Sequence, residues 1–320
     1  MSPRSPLEAP PRKGASLALL RWIDSWAGID EPVASTAKRV DWPRILPFAL
    51  LHVACLGVIW VGWSPVAVGV AVALYVVRMF AITAFYHRYF SHRTFKTSRA
   101  MQFVFGVLGN SAVQRGPLWW AAHHREHHQH SDTDDDTHSP TRHGFFWSHV
   151  GWITAKHNFP TRRERVKDLL KYPELCFLDR FDIVVPIALC AGLDGLGAGL
   201  GAAYPELGTS GLQLVVWGMI STVVLFHATF TINSLAHVWG TRRFQTTDTS
   251  RNNWLLALIT LGEGWHNNHH HFQGSVRQGF YWWEYDPSYY ALRAMSWLGL
   301  VWQLNPVPAA VLEKRLEKRA

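Results

Sequence analysis

The 320-residue chain has only three cysteines, Cys55, Cys176 and Cys190, and no two of them form a Cys-x-x-Cys pair. Neither a disulfide framework nor a thiolate zinc ribbon is suggested. Charge is scarce as well. Asp, Glu, Lys and Arg make up 17% of the residues, against about 25% in soluble domains. A secretory leader is also missing: the opening MSPRSPLEAPPRKGAS is basic and proline-rich, with no apolar run behind it. It reads as a disordered cytoplasmic tail. No internal repeat is present, and the one low-complexity patch is the glycine-rich stretch near residues 191–202.

Aromatic and apolar residues fill the space that charge leaves. Hydrophobic residues reach 48%, with 17 Trp, 17 Phe and 9 Tyr. The mean hydropathy is only −0.02, so long apolar runs must coexist with a large water-facing part. Four stretches approach the roughly 20 apolar residues that a membrane span needs. They are Ile45–Trp63, Val66–Tyr86, Ile183–Ala203 and Leu212–Ile232; the second contains Arg78 and the third Asp194. Met101–Val113 and the Trp- and Tyr-rich Phe280–Leu304 are too short or too mixed to span and suit the headgroup layer.

The net charge is +8. Basic charge can signal nucleic acid, so its placement matters. Seven Lys and Arg precede the first span, fourteen lie between the second and third, and nine follow the fourth. None lies in either of the other two connections. By the positive-inside rule, both termini and the long middle segment face the cytoplasm. Topology explains the charge, and no nucleic-acid partner is required.

The eighteen histidines are clustered. His87 and His92 stand at the end of the second span, in HRYFSH. His124, His127 and His128 form HREHH, and His266, His269 and His270 form HNNHH. His237 follows the fourth span, four residues after Asn233. Residues at i, i+3 and i+4 share a helix face, so each triplet can aim at one point. His87 and His92 differ by about 140° round an α-helix and cannot share a face. They fit a helix end where the chain unwinds, or a pair reaching two metals. Imidazole suits Fe, Zn, Cu and Ni. Nine histidines are too many for one ion and suit two. Lone His52 and His227 read as packed or hydrogen-bonded. His130, His138, His143, His149 and His157, and the acidic run Asp132–Asp136, read as a solvated loop. Arg78 reads equally as functional or as a structural hydrogen-bonder.

The boxes HRYFSH, HREHH and HNNHH resemble those of the integral-membrane fatty acid desaturases, and in particular the stearoyl-CoA (Δ9 acyl) type. GFFWSHVGW (144–152), NSLAH (233–237) and GEGWHNNHH (262–270) are similar to that family's pattern as well. The resemblance implies an all-α membrane protein with four transmembrane helices under a cytoplasmic helical cap. The cap would carry a di-iron centre held by His87, His92, His124, His127, His128, His237, His266, His269 and His270. Asn233 would reach one iron through a water. It further implies a kinked acyl channel. Where the acyl-CoA enzymes have an Arg-Asp pair before the second box, this chain has Ala122 and His123. The carrier is therefore open between CoA, membrane lipid and another carrier.

Desaturation of unactivated methylenes needs a cofactor, here two iron ions with O2 as co-substrate. Trp119, Trp120, Phe145, Trp147 and Trp152 are candidates for the channel wall, or for ordinary packing. Glu126 and Glu263 are placed to orient metal-bound histidines. Electrons are expected from an external donor such as a ferredoxin, rubredoxin or cytochrome b5-like protein, drawn to the basic face. The expected organisation is a tail over 1–44, a membrane desaturase domain over 45–305 and a charged tail over 306–320. Rival readings are a lipid or carotenoid hydroxylase or ketolase with the same histidine boxes, and a metal-handling membrane protein.

Overall fold

The computed structural model describes residues 15–27 and 38–314. Helix α1 (Ala15–Ile23) lies inside the stretch expected to be a tail. The residues after it are anchored: Ser25 Oγ donates to Asp182 (2.8 Å) and Trp26 Nε1 to Asp179 (2.8 Å). The rest of that tail expectation, residues 1–14 and 28–37, lies outside the described residues, as does 315–320 of the C-terminal one.

Four helices are long and apolar enough to cross a membrane: Trp42–Val61, Pro65–Ser91, Val184–Ala203 and Pro205–His237. The first begins as α2 (Trp42–Ala54), where the Asp41 side chain caps the N–H of Arg44 and Pro43 fits the first turn. It buries none of its residues, as suits a lipid-facing helix. Trp42 at one end and Trp60 and Trp63 at the other are exposed, matching an aromatic belt at each interface. Helix α3 (Pro65–Phe80) starts on a Ser64 cap. Arg78 is buried in this helix. Its guanidinium donates to Ser221 Oγ (2.7 Å), Thr222 Oγ1 (2.6 Å) and the Leu74 carbonyl (3.0 Å), which gives it a structural role.

Beyond Phe80 the helix widens into a π-helix, Ala81–Ser91, every residue of which is buried. A short strand β1 (Lys96–Thr97) follows, then α4 (Arg99–Asn110), on which Phe105 stacks against Phe85 at 3.7 Å between ring centres. Helix α5 (Pro117–His130) carries HREHH. Helix α6 (Pro173–Arg180) leads to α7 (Val184–Ala203) and α8 (Gly211–Asn233), the third and fourth spans. Then come α9 (Trp254–Ile259), α10 (His266–His271) and α11 (Pro287–Trp297). Strand β2 (Val301–Trp302) pairs antiparallel with β1, in the register Lys96 to Trp302 and Thr97 to Val301. The described fold is thus helical apart from one two-stranded ribbon.

The second and fourth spans run further than their apolar composition predicts, to Ser91 and His237. Their extensions are buried by neighbouring protein, which removes the need for an apolar sequence. Both extensions deliver histidines.

Candidate metal centre

The nine histidines of the boxes converge into two groups whose ligand atoms lie within 4.8 Å of one another. The first is His87, His92, His124, His128 and His269; the second is His127, His237, His266 and His270. Each group could hold a metal ion. The expectation that each triplet aims at one point is corrected. On α5, His124 and His128 serve the first group and His127 the second. On α10, His266 and His270 serve the second and His269 the first. Positions i+3 and i+4 are about 100° apart round a helix, so a triplet flanked by two sites divides between them.

The π-helix resolves the spacing of His87 and His92. The N–H of His92 reaches the His87 carbonyl five residues back (3.2 Å). A turn of that width brings residues five apart to the same side. The two rings lie 4.9 Å apart and serve one group, so the unwinding helix end holds and the two-metal alternative does not.

Four of the nine donate Nδ1–H to a carboxylate. His127 donates to both oxygens of Asp136 (3.1 Å each), His237 to Asp132 (3.2 Å) and His270 to Asp248 (2.6 Å), while His87 pairs with Glu263. An ionised carboxylate only accepts, so these histidines carry hydrogen on Nδ1 and present the Nε2 lone pair inward. Burial raises the Asp132, Asp136 and Asp248 carboxyls. The histidines and the neighbouring donors outweigh it and hold all three far below the usual carboxylate range.

The acidic run expected to be a solvated turn is therefore corrected. Asp132 and Asp136 are buried, and Asp134 and Asp135 remain exposed. Asp132 also accepts from Thr249 N and Oγ1 (2.7 Å each) and ties the loop to the chain beyond the fourth span. His138, expected in solvent, is buried and stacks on His127 (4.3 Å between ring centres). Glu263 takes the role expected of it, and also holds the buried guanidinium of Arg88, which in addition pairs with Asp286 (2.9 Å) and donates to the Val276 carbonyl (2.9 Å). Glu126 does not: it pairs with Arg162 and Arg165. Asp248 was missed. No spacing links it to His270, and only the fold brings the two together.

Several inward nitrogens face one another. Nε2 of His92 lies 2.7 Å from that of His124, and His87 and His128 each lie 3.0 Å from His269. In the second group His237 and His266 are 3.1 Å apart, and His270 Nε2 is buried without a partner among the described residues. Burial first, and then the crowd of other imidazoles, holds His92, His124, His128, His266 and His269 well below the ordinary histidine value. Burial likewise pushes His270 down to about 4 against the pull of Asp248. His127 goes the other way: burial lowers it, but Asp136, with Asp132 and Asp248 behind it, raises it by more. Mostly neutral imidazoles with converging ring nitrogens fit a cation at each group. His123 and His271 belong to neither group: His123 packs at a tilt against Trp119, and His271 stacks on Phe244.

A cavity of about 330 Å³ adjoins the first group. His124, Asn233, Trp119, Trp120 and Trp152 belong to its wall, with Phe226 and Phe230 from the fourth span; Phe145 and Trp147 do not. Asn233 is the last residue of α8, and its carbonyl accepts from Ser148 Oγ (2.7 Å). His149 and His52 extend a separate hydrogen-bonded row through His227, at 3.1 and 3.3 Å.

The profile of the fatty acid desaturase family matches residues 31–301. The chain is a fatty acid desaturase. It is 35% identical over 92% of its length to an acyl-CoA 5-desaturase of Anemone leveillei, and covers 91% of that protein. It is 38% identical over 83% of its length to an sn-1 stearoyl-lipid 9-desaturase of Anabaena variabilis, covering 94% of it. A chloroplastic palmitoyl-monogalactosyldiacylglycerol delta-7 desaturase of Arabidopsis thaliana is 36% identical over 87% of the chain, which covers 72% of that relative. As members of the same family, these relatives differ in both carrier and double-bond position. The desaturase is accordingly an oxidoreductase of lipid metabolism with four helices able to cross a membrane.

Proposed function

We propose that this desaturase introduces a double bond, most simply at Δ9, into a saturated acyl chain, using two iron ions and O2. The observation that carries the proposal is the pair of converging histidine groups beside an apolar cavity. His87, His92, His124, His128 and His269 would hold one ion. His127, His237, His266 and His270 would hold the other, with Asn233 contributing through a water. Such a metal pair supplies the oxidising power for unactivated methylenes, with O2 reduced to water.

The chain's own part is positional. Asp132, Asp136, Asp248 and Glu263 fix the ring orientation of four histidines. Trp119, Trp120 and Trp152 narrow the cavity and keep water from the alkyl chain, so the acyl carbons beside His124 are those presented for reaction. The distribution of Lys and Arg supports a cytoplasmic position for both termini and the metal centre. It also supports docking of an acidic electron donor, a ferredoxin, rubredoxin or cytochrome b5-like protein, on the basic face. The relatives support either a CoA or a lipid carrier.

The test is gas chromatography with mass spectrometry of the fatty acids of a host that supplies iron and a compatible donor. A new monounsaturated pool is expected with the native chain and none with His270→Ala, although the variant remains in the membrane. Fragment masses locate the double bond. A hydroxylated or oxo product would replace the proposal with the hydroxylase or ketolase reading. Full activity in His270→Ala would overturn the ligand set.

A further inference from the structure

The same cavity is lined elsewhere by cations. Among the described residues its wall holds Arg44 and Arg115, with Arg21 beside them and Asp182 as the carboxylate. Asp182 is already engaged, by Ser25 Oγ at 2.8 Å and Arg115 Nη1 at 3.4 Å. Arg44 is less well provided. Its side chain is only 9% exposed, and its one ion-pair partner among the described residues is Asp41, 3.9 Å from Nε. The guanidinium makes no hydrogen bond among the described residues and rests on the Phe159 ring, 4.9 Å from its centre. Arg115 lies over the same ring at 5.7 Å, and its Nε is buried without a hydrogen-bond partner among the described residues.

Two cations sharing one ring repel each other, and a buried cation short of hydrogen bonds is costly. Arg44 also stands in the first turn of α2, where the helix dipole disfavours positive charge. An anion held by both guanidiniums would offset all three. Arg115 lies two residues before the start of α5, and His124 two turns into that helix, so roughly 10 Å of helix lies between the start of α5 and the histidine.

We propose that Arg44 and Arg115 bind an oxyanion, a phosphodiester or a carboxylate, attached to the head of the acyl chain whose methylenes pass His124. The proposal rests on the desaturase reading of this cavity and deepens it. The substrate is an acyl chain with an anionic head, and the carbons at His124 lie several bonds from that head. A neutral sugar headgroup, as in the galactolipid named for one relative, lacks the charge to satisfy the pair.

Equilibrium binding to the full-length, iron-loaded chain in neutral detergent tests this. The probes are radiolabelled distearoyl-phosphatidylglycerol, stearate and distearoyl-monogalactosyldiacylglycerol, read by scintillation proximity. At least one anionic probe is expected to bind about tenfold more tightly than the galactolipid, and which one does so identifies the source of the oxyanion. Arg44→Gln is expected to remove that preference, and Arg44→Lys to retain part of it. Arg115→Gln also loses the contacts to Asp182 and to the Phe159 carbonyl and can disturb the fold, so Arg44→Gln decides. Equal binding of all three probes by the native chain would overturn the proposal, as would an unchanged preference in Arg44→Gln. Binding needs no turnover. Normal desaturation without an anion preference counts against this inference alone, and intact binding without any oxidised product counts against the desaturation chemistry.

Discussion

Asp248 precedes His270 by 22 residues and accepts its Nδ1 hydrogen at 2.6 Å. Replacing it with Asn keeps the size and removes the charge that holds the ring. Asp248→Asn is expected to lower metal affinity by about 10- to 100-fold, read as iron per chain by plasma mass spectrometry after dialysis against graded chelator. Glu126→Gln should leave that curve unchanged, since Glu126 pairs with arginines. At this scale the histidines were legible in the sequence and most of their supports were not. Imidazoles announce themselves by clustering and spacing. Asp132 reaches His237 across 105 residues and looks, in the sequence, like any member of an acidic turn. Glu263 stands three residues before His266, but the histidine it holds is His87, far back in the chain.

Between residues and the whole stand the elements. The four spans could be read from composition, because lipid demands apolar length. The π-helix could not. Its signature was the very spacing that an α-helix forbids, five residues between His87 and His92, and that spacing allowed two explanations until the backbone was seen. The turn before α10 is a second such case. Gly262 has φ of +122°, and a Cβ there would lie 2.5 Å from Asp286 Oδ1 and 2.9 Å from Arg88 Nη2. Gly262→Ala combines backbone strain with a clash inside the buried Arg88–Glu263–Asp286 network. It is expected to destabilise the protein by about 2–4 kcal/mol, measured as a lowered thermal midpoint in detergent. An unchanged midpoint would show that this turn yields more readily than its geometry suggests.

For the molecule as a whole, stability and metal content are linked. Nine imidazoles, most with Nε2 packed against that of another, fold more favourably around cations than around nothing. Removing metal with a membrane-permeant chelator is expected to lower the thermal midpoint by roughly 5–10 °C, the effect of losing a ligand present at about a thousand times its dissociation constant. Adding iron back should restore it. No change on chelation would mean that the two groups are held by packing alone. The two-part organisation, apolar spans joined by basic segments, was legible because charge and hydropathy are written residue by residue. The cavity with its arginines was not, because α1, α2, α5 and the approach to α7 meet there from distant parts of the chain.

Helices α5 and α10 each divide their histidines between both groups. Moving either helix to empty one group therefore dislodges donors from the other. A shift of either helix is felt by both imidazole sets at once.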